Sequence, residues 1–89
     1  MTQKVVKIIG TIKEVKGHCT ANHKKGDIFE LSGHSADGLC GFFYHDIFPT
    51  ILTLQFGGSF PWSANPDIIE VECPDRINTV KMELKRIQE

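Results

Sequence analysis

The chain has no apolar run approaching the roughly 20 residues a membrane-spanning helix needs, so a membrane protein is not expected. Net charge is also scarce: 10 Lys and Arg against 11 Asp and Glu leave −1 at pH 7. Without a basic excess, nucleic acid is disfavoured as a partner, and Lys13, Lys16, Lys24 and Lys25 make only a modest basic patch. No Walker loop and no dinucleotide fingerprint is present. The 3 cysteines are too few and odd in number for a disulfide scaffold. None forms a Cys-x-x-Cys pair, which excludes a thioredoxin-type motif and a zinc knuckle. Lys4 and Lys7 interrupt the opening residues too early for a signal peptide, so reduced thiols in a cytoplasm are expected. Repeats, linkers and low-complexity tracts are missing as well. The 89 residues, 40% of them hydrophobic, fit a single domain over 1–89 with one small core.

Within that domain, Val5 to Val15 carries apolar residues at helical spacing, but almost all are β-branched and Gly10 interrupts them. Branched side chains pack well on a pleated surface, and Gly costs about 1 kcal/mol against Ala inside a helix. A long strand is therefore expected, bulged near Gly10. A polar loop from Lys16 leads to a short strand at Asp27–Leu31, and Gly33–Gly38 forms a second loop offering Ser35 or Asp37 as a helix N-cap. Leu39, Phe43, Ile47, Ile51 and Leu54 then recur every three or four residues, the helical signature. Pro49 interrupts this segment and lacks a backbone donor, which predicts two short helices with Pro49 in the first turn of the second. Gly57-Gly58 reads as the stop signal. Ile68–Cys73 alternates as a strand, and Pro74–Asn78 reads as a turn. Val80, Met82 and Leu84 favour a strand over Thr79–Ile87, although Ile77, Val80, Leu84 and Ile87 also fit a helix. Lys81, Glu83, Lys85, Arg86 and Glu89 read as its solvated face. The expectation is an α+β domain of order β-β-α-α-β-β: a small antiparallel sheet with the helical segment packed on one face.

Chemistry concentrates in the loop His18-Cys19-Thr20-Ala21-Asn22-His23. The Cys19-x3-His23 spacing supplies a thiol and an imidazole, the side chains zinc prefers, and sulfur also suits softer metals. Such a pair needs further ligands, for which Cys40, Cys73, His34 and His45 are candidates. The alternative makes the cysteines small buried apolar residues and the histidines surface loop residues. Cys40 opens the helical segment, a placement found in nucleophilic and redox cysteines. His45 does not obviously share its face, so a Cys-His dyad within the helix is poorly supported and no catalytic residue is assigned. Cys73-Pro74-Asp75 ends a strand, either as a plain turn or with Cys73 meeting Cys19 and Cys40 in a three-thiol cluster. Gly57, Gly58, Phe60 and Trp62 form a separate candidate. Paired glycines permit close approach, and the aromatics either cap the core or contribute to an interface or pocket wall.

Taken together, Cys19-x3-His23-x2-Gly26-Asp27-x-Phe29, Gly38-Leu39-Cys40, Pro49, Gly57-Gly58, Pro61-Trp62 and Cys73-Pro74-Asp75 resemble a family of small prokaryotic proteins of unknown function. The likeness spans nearly the whole chain and departs from the family at Thr20-Ala21-Asn22, where relatives often carry Pro and Gly. It implies that Cys19, Cys40 and Cys73 belong to a recurring set, and it implies no reaction.

These readings converge on a small cytosolic binding or accessory module more than on an enzyme. It is expected to be oligomeric, meeting a further copy or another protein through Gly57, Gly58, Phe60 and Trp62, with room for a small-molecule ligand. The alternative is a metal-binding or thiol-redox protein in which Cys19, His23, Cys40 and Cys73 hold zinc or another transition metal.

Overall fold

The structure is a computed structural model that describes residues 6–88; Val5 and Glu89, assigned above to a strand and a solvated face, lie outside them. The elements run β1 (Val6–Val15), β2 (Ile28–Leu31), α1 (Gly41–Gln55), β3 (Ile68–Glu72) and β4 (Val80–Gln88). The strands form one antiparallel sheet in the order β2-β1-β4-β3, so the fold is α+β. The order along the chain is β-β-α-β-β, which corrects the expected pair of helices to one. Among the described residues no helix is long and apolar enough to cross a membrane.

Period-two alternation decides which side of each strand is buried. Ile8 and Ile12 of β1, Phe29 and Leu31 of β2, Ile69 of β3, and Val80, Met82 and Leu84 of β4 meet Leu39, Phe43, Ile47, Ile51 and Leu54 in one core. The opposite face carries Lys13, Lys81 and Glu83, with ion pairs Lys13–Glu83 at 4.0 Å and Lys81–Glu14 at 3.7 Å. Such exposed pairs contribute about 0–1 kcal/mol each. The expected bulge lies further along β1, where the register with β4 shifts between Ile12 and Glu14. Gly10 serves a different purpose. A Cβ there would sit 2.8 Å from Met82 Sδ and 3.0 Å from Leu31 Cδ1, so glycine makes room for the side chains packed over it.

Helix α1 passes through Pro49 unbroken. A mid-helix proline costs about 3 kcal/mol relative to Ala. Burial of Phe43, Ile47, Ile51 and Leu54 along one stripe opposes that cost, at about 1.5–3 kcal/mol for each side chain. Splitting the helix at Pro49 would break the stripe, whereas Pro49 itself faces solvent. Replacing this exposed ring should therefore help: Pro49→Ala is expected to raise stability by about 1–2 kcal/mol in a urea melt, the restored backbone donor outweighing the proline's effect on the unfolded chain. The helix starts later than expected. Cys40 is the N-cap and makes no side-chain capping bond. Asp37 instead accepts the Glu30 N–H at 2.8 Å, and Ser35 Oγ accepts the Asp37 N–H at 3.2 Å.

At its other end the helix stops as Gly57-Gly58 predicts. Gly57 takes φ +88°, the Gly58 N–H reaches Thr53 O at 2.7 Å, and the Gly57 N–H reaches Leu54 O at 3.3 Å, a Schellman motif. A Cβ at Gly58 would lie 2.7 Å from Thr53 Cγ2, so the close approach these glycines permit is to their own helix.

Arg86 overturns the solvated-face reading at its own position. It lies on the inner face of β4, only 6% exposed. Its guanidinium donates to Leu54 O at 3.0 Å, Gly58 O at 2.6 Å, Pro66 O at 3.0 Å and Asp67 Oδ1 at 3.0 Å. One side chain thereby ties the C-terminal end of α1 and the loop after it to the sheet.

Candidate functional site

At the opposite end of α1, three segments far apart in sequence enclose a cleft of about 340 Å³. The loop between β1 and β2 contributes Cys19, Thr20 and His23. The start of α1 contributes Cys40, Phe42 and Phe43, and the β3–β4 connection contributes Cys73, Pro74, Asp75, Asn78 and Val80. All three cysteines and His23 thus line one cavity. His34 and His45, the other candidate ligands, lie outside it and are exposed.

The first loop is held on the β3–β4 connection by backbone geometry. The Lys16 N–H donates to Thr79 O at 2.8 Å and the His18 N–H to Asn78 Oδ1 at 3.0 Å. Gly17 between them takes φ +74°, and a Cβ there would collide with Asn78 Oδ1, so glycine is required for this docking. The loop then turns, the Asn22 N–H donating to Cys19 O at 2.9 Å, which presents His23 to the helix. His23 Nε2 accepts the Cys40 N–H at 2.9 Å, and its ring stands edge-on to Phe29 at 5.1 Å. The His23 nitrogen therefore satisfies one of the donors that a helix leaves unpaired at its start.

The three thiols differ in setting. Cys19 and Cys40 are half-buried and Cys73 is buried. The Cys73 N–H donates to Val80 O at 2.9 Å, and Cys73 Sγ accepts the Val80 N–H at 3.1 Å. Its thiol proton faces Asn78 O at 3.7 Å and Asp75 O at 3.8 Å. Cys73 therefore closes the end of the β3–β4 ladder, its sulfur standing where a backbone acceptor would be. Among the described residues, no three His, Cys, Asp or Glu side chains are grouped so as to hold a metal ion.

Asp75 forms the tightest polar turn at the rim. Its carboxylate accepts the Asn78 and Ile77 N–H groups, each at 2.9 Å, and Asn78 Nδ2 at 3.4 Å. The backbone donors of Asn78, then Ile77, hold this carboxyl below its ordinary value of 3.8. A depressed carboxyl pKa stabilises the fold above the unfolded value, and that contribution is lost as pH falls through the folded one. Asp75→Ala should accordingly be less stable than wild type at neutral pH, with the gap closing as pH falls below about 4 in parallel urea melts.

Neither Asn78 nor Gly17 carries a sequence signal that marks it as part of the site; only the register of β4 against β1 brings them together. Phe42, Phe43, Pro74 and Val80 line the cavity with apolar side chains. At the far end of the molecule, Phe60 packs on the core and lies 5.2 Å from the Trp62 ring, while Phe56 is 77% and Trp62 74% exposed. Compared with protein-family profiles, with curated proteins and with solved structures, the chain matches none.

Proposed function

We propose that the protein is a small binding module whose ligand occupies the cleft lined by Cys19, His23, Cys40 and Cys73. The observation that carries this reading is the convergence of every cysteine in the chain, with His23, on one cavity from three separate segments. Its volume of about 340 Å³ is near the lower end for ligand sites, so the occupant is compact. Phe42, Phe43, Pro74 and Val80 favour an apolar body, and the two half-buried thiols favour a group that sulfur recognises, an electrophile or a soft metal centre. Zinc or another transition metal bound by Cys19, His23, Cys40 and Cys73 together would require rearrangement. His23 Nε2 and Cys73 Sγ are already engaged with backbone donors.

Two maleimides test the reading. N-phenylmaleimide and N-methylmaleimide share a reactive group and differ in apolar body. The native protein should prefer the phenyl reagent at Cys19 or Cys40 over the methyl one about tenfold more than free glutathione does. The excess should vanish in urea. A preference equal to that of glutathione would overturn the reading. Elemental analysis of protein prepared anaerobically without chelator separates an organic occupant from a metal.

A second reading is favoured by the exposure of Phe56 and Trp62: contact with a further copy or another protein through this segment. Light scattering of wild type and Trp62→Ala tests it, with a lower mass for the variant as the supporting outcome.

A further inference from the structure

We propose that Cys19 and Cys40 form a reversible redox pair whose disulfide bridges two walls of the cleft, with Cys73 held out of the exchange. Both thiols are half-buried, pack against the same core and line the same cavity. The residues that follow Cys19, Thr20 and Ala21, also border a second hollow together with Cys40. The His23 Nε2 bond to the Cys40 N–H, at 2.9 Å, pins the turn that carries Cys19 to the same backbone position. Cys73 differs in access, which governs exchange: it is only 7% exposed, and it closes the end of the β3–β4 ladder.

The oxidant is a low-molecular-weight disulfide such as oxidised glutathione. One cysteine thiolate attacks a glutathione sulfur, the S–S bond breaks, and one glutathione leaves as a thiolate that takes up a proton. The second cysteine, having lost its own proton, attacks the protein sulfur of this mixed disulfide and expels the other glutathione. Two electrons and two protons pass from the two thiols to the oxidant, giving one protein disulfide and two glutathione thiols. Reduced glutathione reverses the sequence. The bridge would cross the mouth that a ligand enters. That gating rests on the cleft being the ligand site, whereas the pairing itself does not.

The test equilibrates the reduced full chain in mixtures of oxidised and reduced glutathione, followed by acid quenching, alkylation and peptide mapping by mass. The expected product has lost two hydrogens, carries no glutathione and yields a linked Cys19–Cys40 peptide. Cys19→Ser and Cys40→Ser should each trap a glutathione adduct on the remaining partner. A linkage that includes Cys73, or adducts accumulating on Cys19 and Cys40 of the wild type, would overturn the pairing. Binding of N-phenylsuccinimide, the unreactive analogue of the maleimide, is then compared between the two forms. Weakening by about tenfold or more in the disulfide form supports gating, and equal affinity overturns it. Linkage without any binding to the reduced protein would sink the ligand reading alone. Binding without linkage would sink the pairing alone.

Discussion

Arg86→Ala should destabilise the protein by about 3 kcal/mol, roughly 15 °C in melting temperature for a chain of this size. Arg86 is the only strongly buried charged residue among those described, and its guanidinium serves four acceptors. Removing it takes this donor from Leu54 O, which is buried, and from Gly58 O, which is partly buried. Hydrogen bonds from charged donors contribute about 1.5–3 kcal/mol each. Asp67 returns to water because its side chain is 48% exposed, which keeps the total below the sum of the separate bonds. Lysine has a single ammonium and cannot reach four divergent acceptors, so Arg86→Lys should recover less than half of the loss. Urea melts of the three proteins measure both effects. A loss under about 1 kcal/mol for the alanine variant would mean that water replaces the guanidinium without difficulty.

The second large effect lies at the other end of the helix. In the native protein Cys19 and Cys40 should react with a small thiol reagent, and Cys73 should react about tenfold more slowly, or slower still, because only 7% of it is exposed where it lines the cleft. Peptide mapping after timed alkylation reads each cysteine separately, and urea should erase the difference. Equal rates at all three would contradict the hydrogen-bonded, buried setting of Cys73.

How much of this was readable beforehand varies with the range of the interactions involved. The strands were legible because β-branched residues and strict alternation are local signals, and the Val80-Met82-Leu84 alternation outweighed a competing helical spacing. The stripe Leu39, Phe43, Ile47, Ile51 and Leu54 was legible for the same reason. The break predicted at Pro49 does not occur, because tertiary burial keeps the stripe continuous and that burial has no local signal. Arg86 misled through its charge, although the alternation that places Val80, Met82 and Leu84 inward places residue 86 inward too. Its four acceptors come from Leu54 to Asp67, and no sequence pattern announces them. At the cleft, Cys19, His23 and Cys40 stood out by residue type. The roles of Asn78, Gly17 and the Cys73 sulfur depend on register between strands and on one positive φ, and those are long-range facts.

Under the proposed function, three distant segments act as one ligand site. Amide chemical-shift mapping of the reduced protein with saturating N-phenylsuccinimide tests this most directly. The predicted result is a joint shift of residues 19–23, 40–43 and 73–80, with Phe56–Trp62 unmoved. Shifts confined to Phe56–Trp62, or scattered without relation to the cleft, would contradict it.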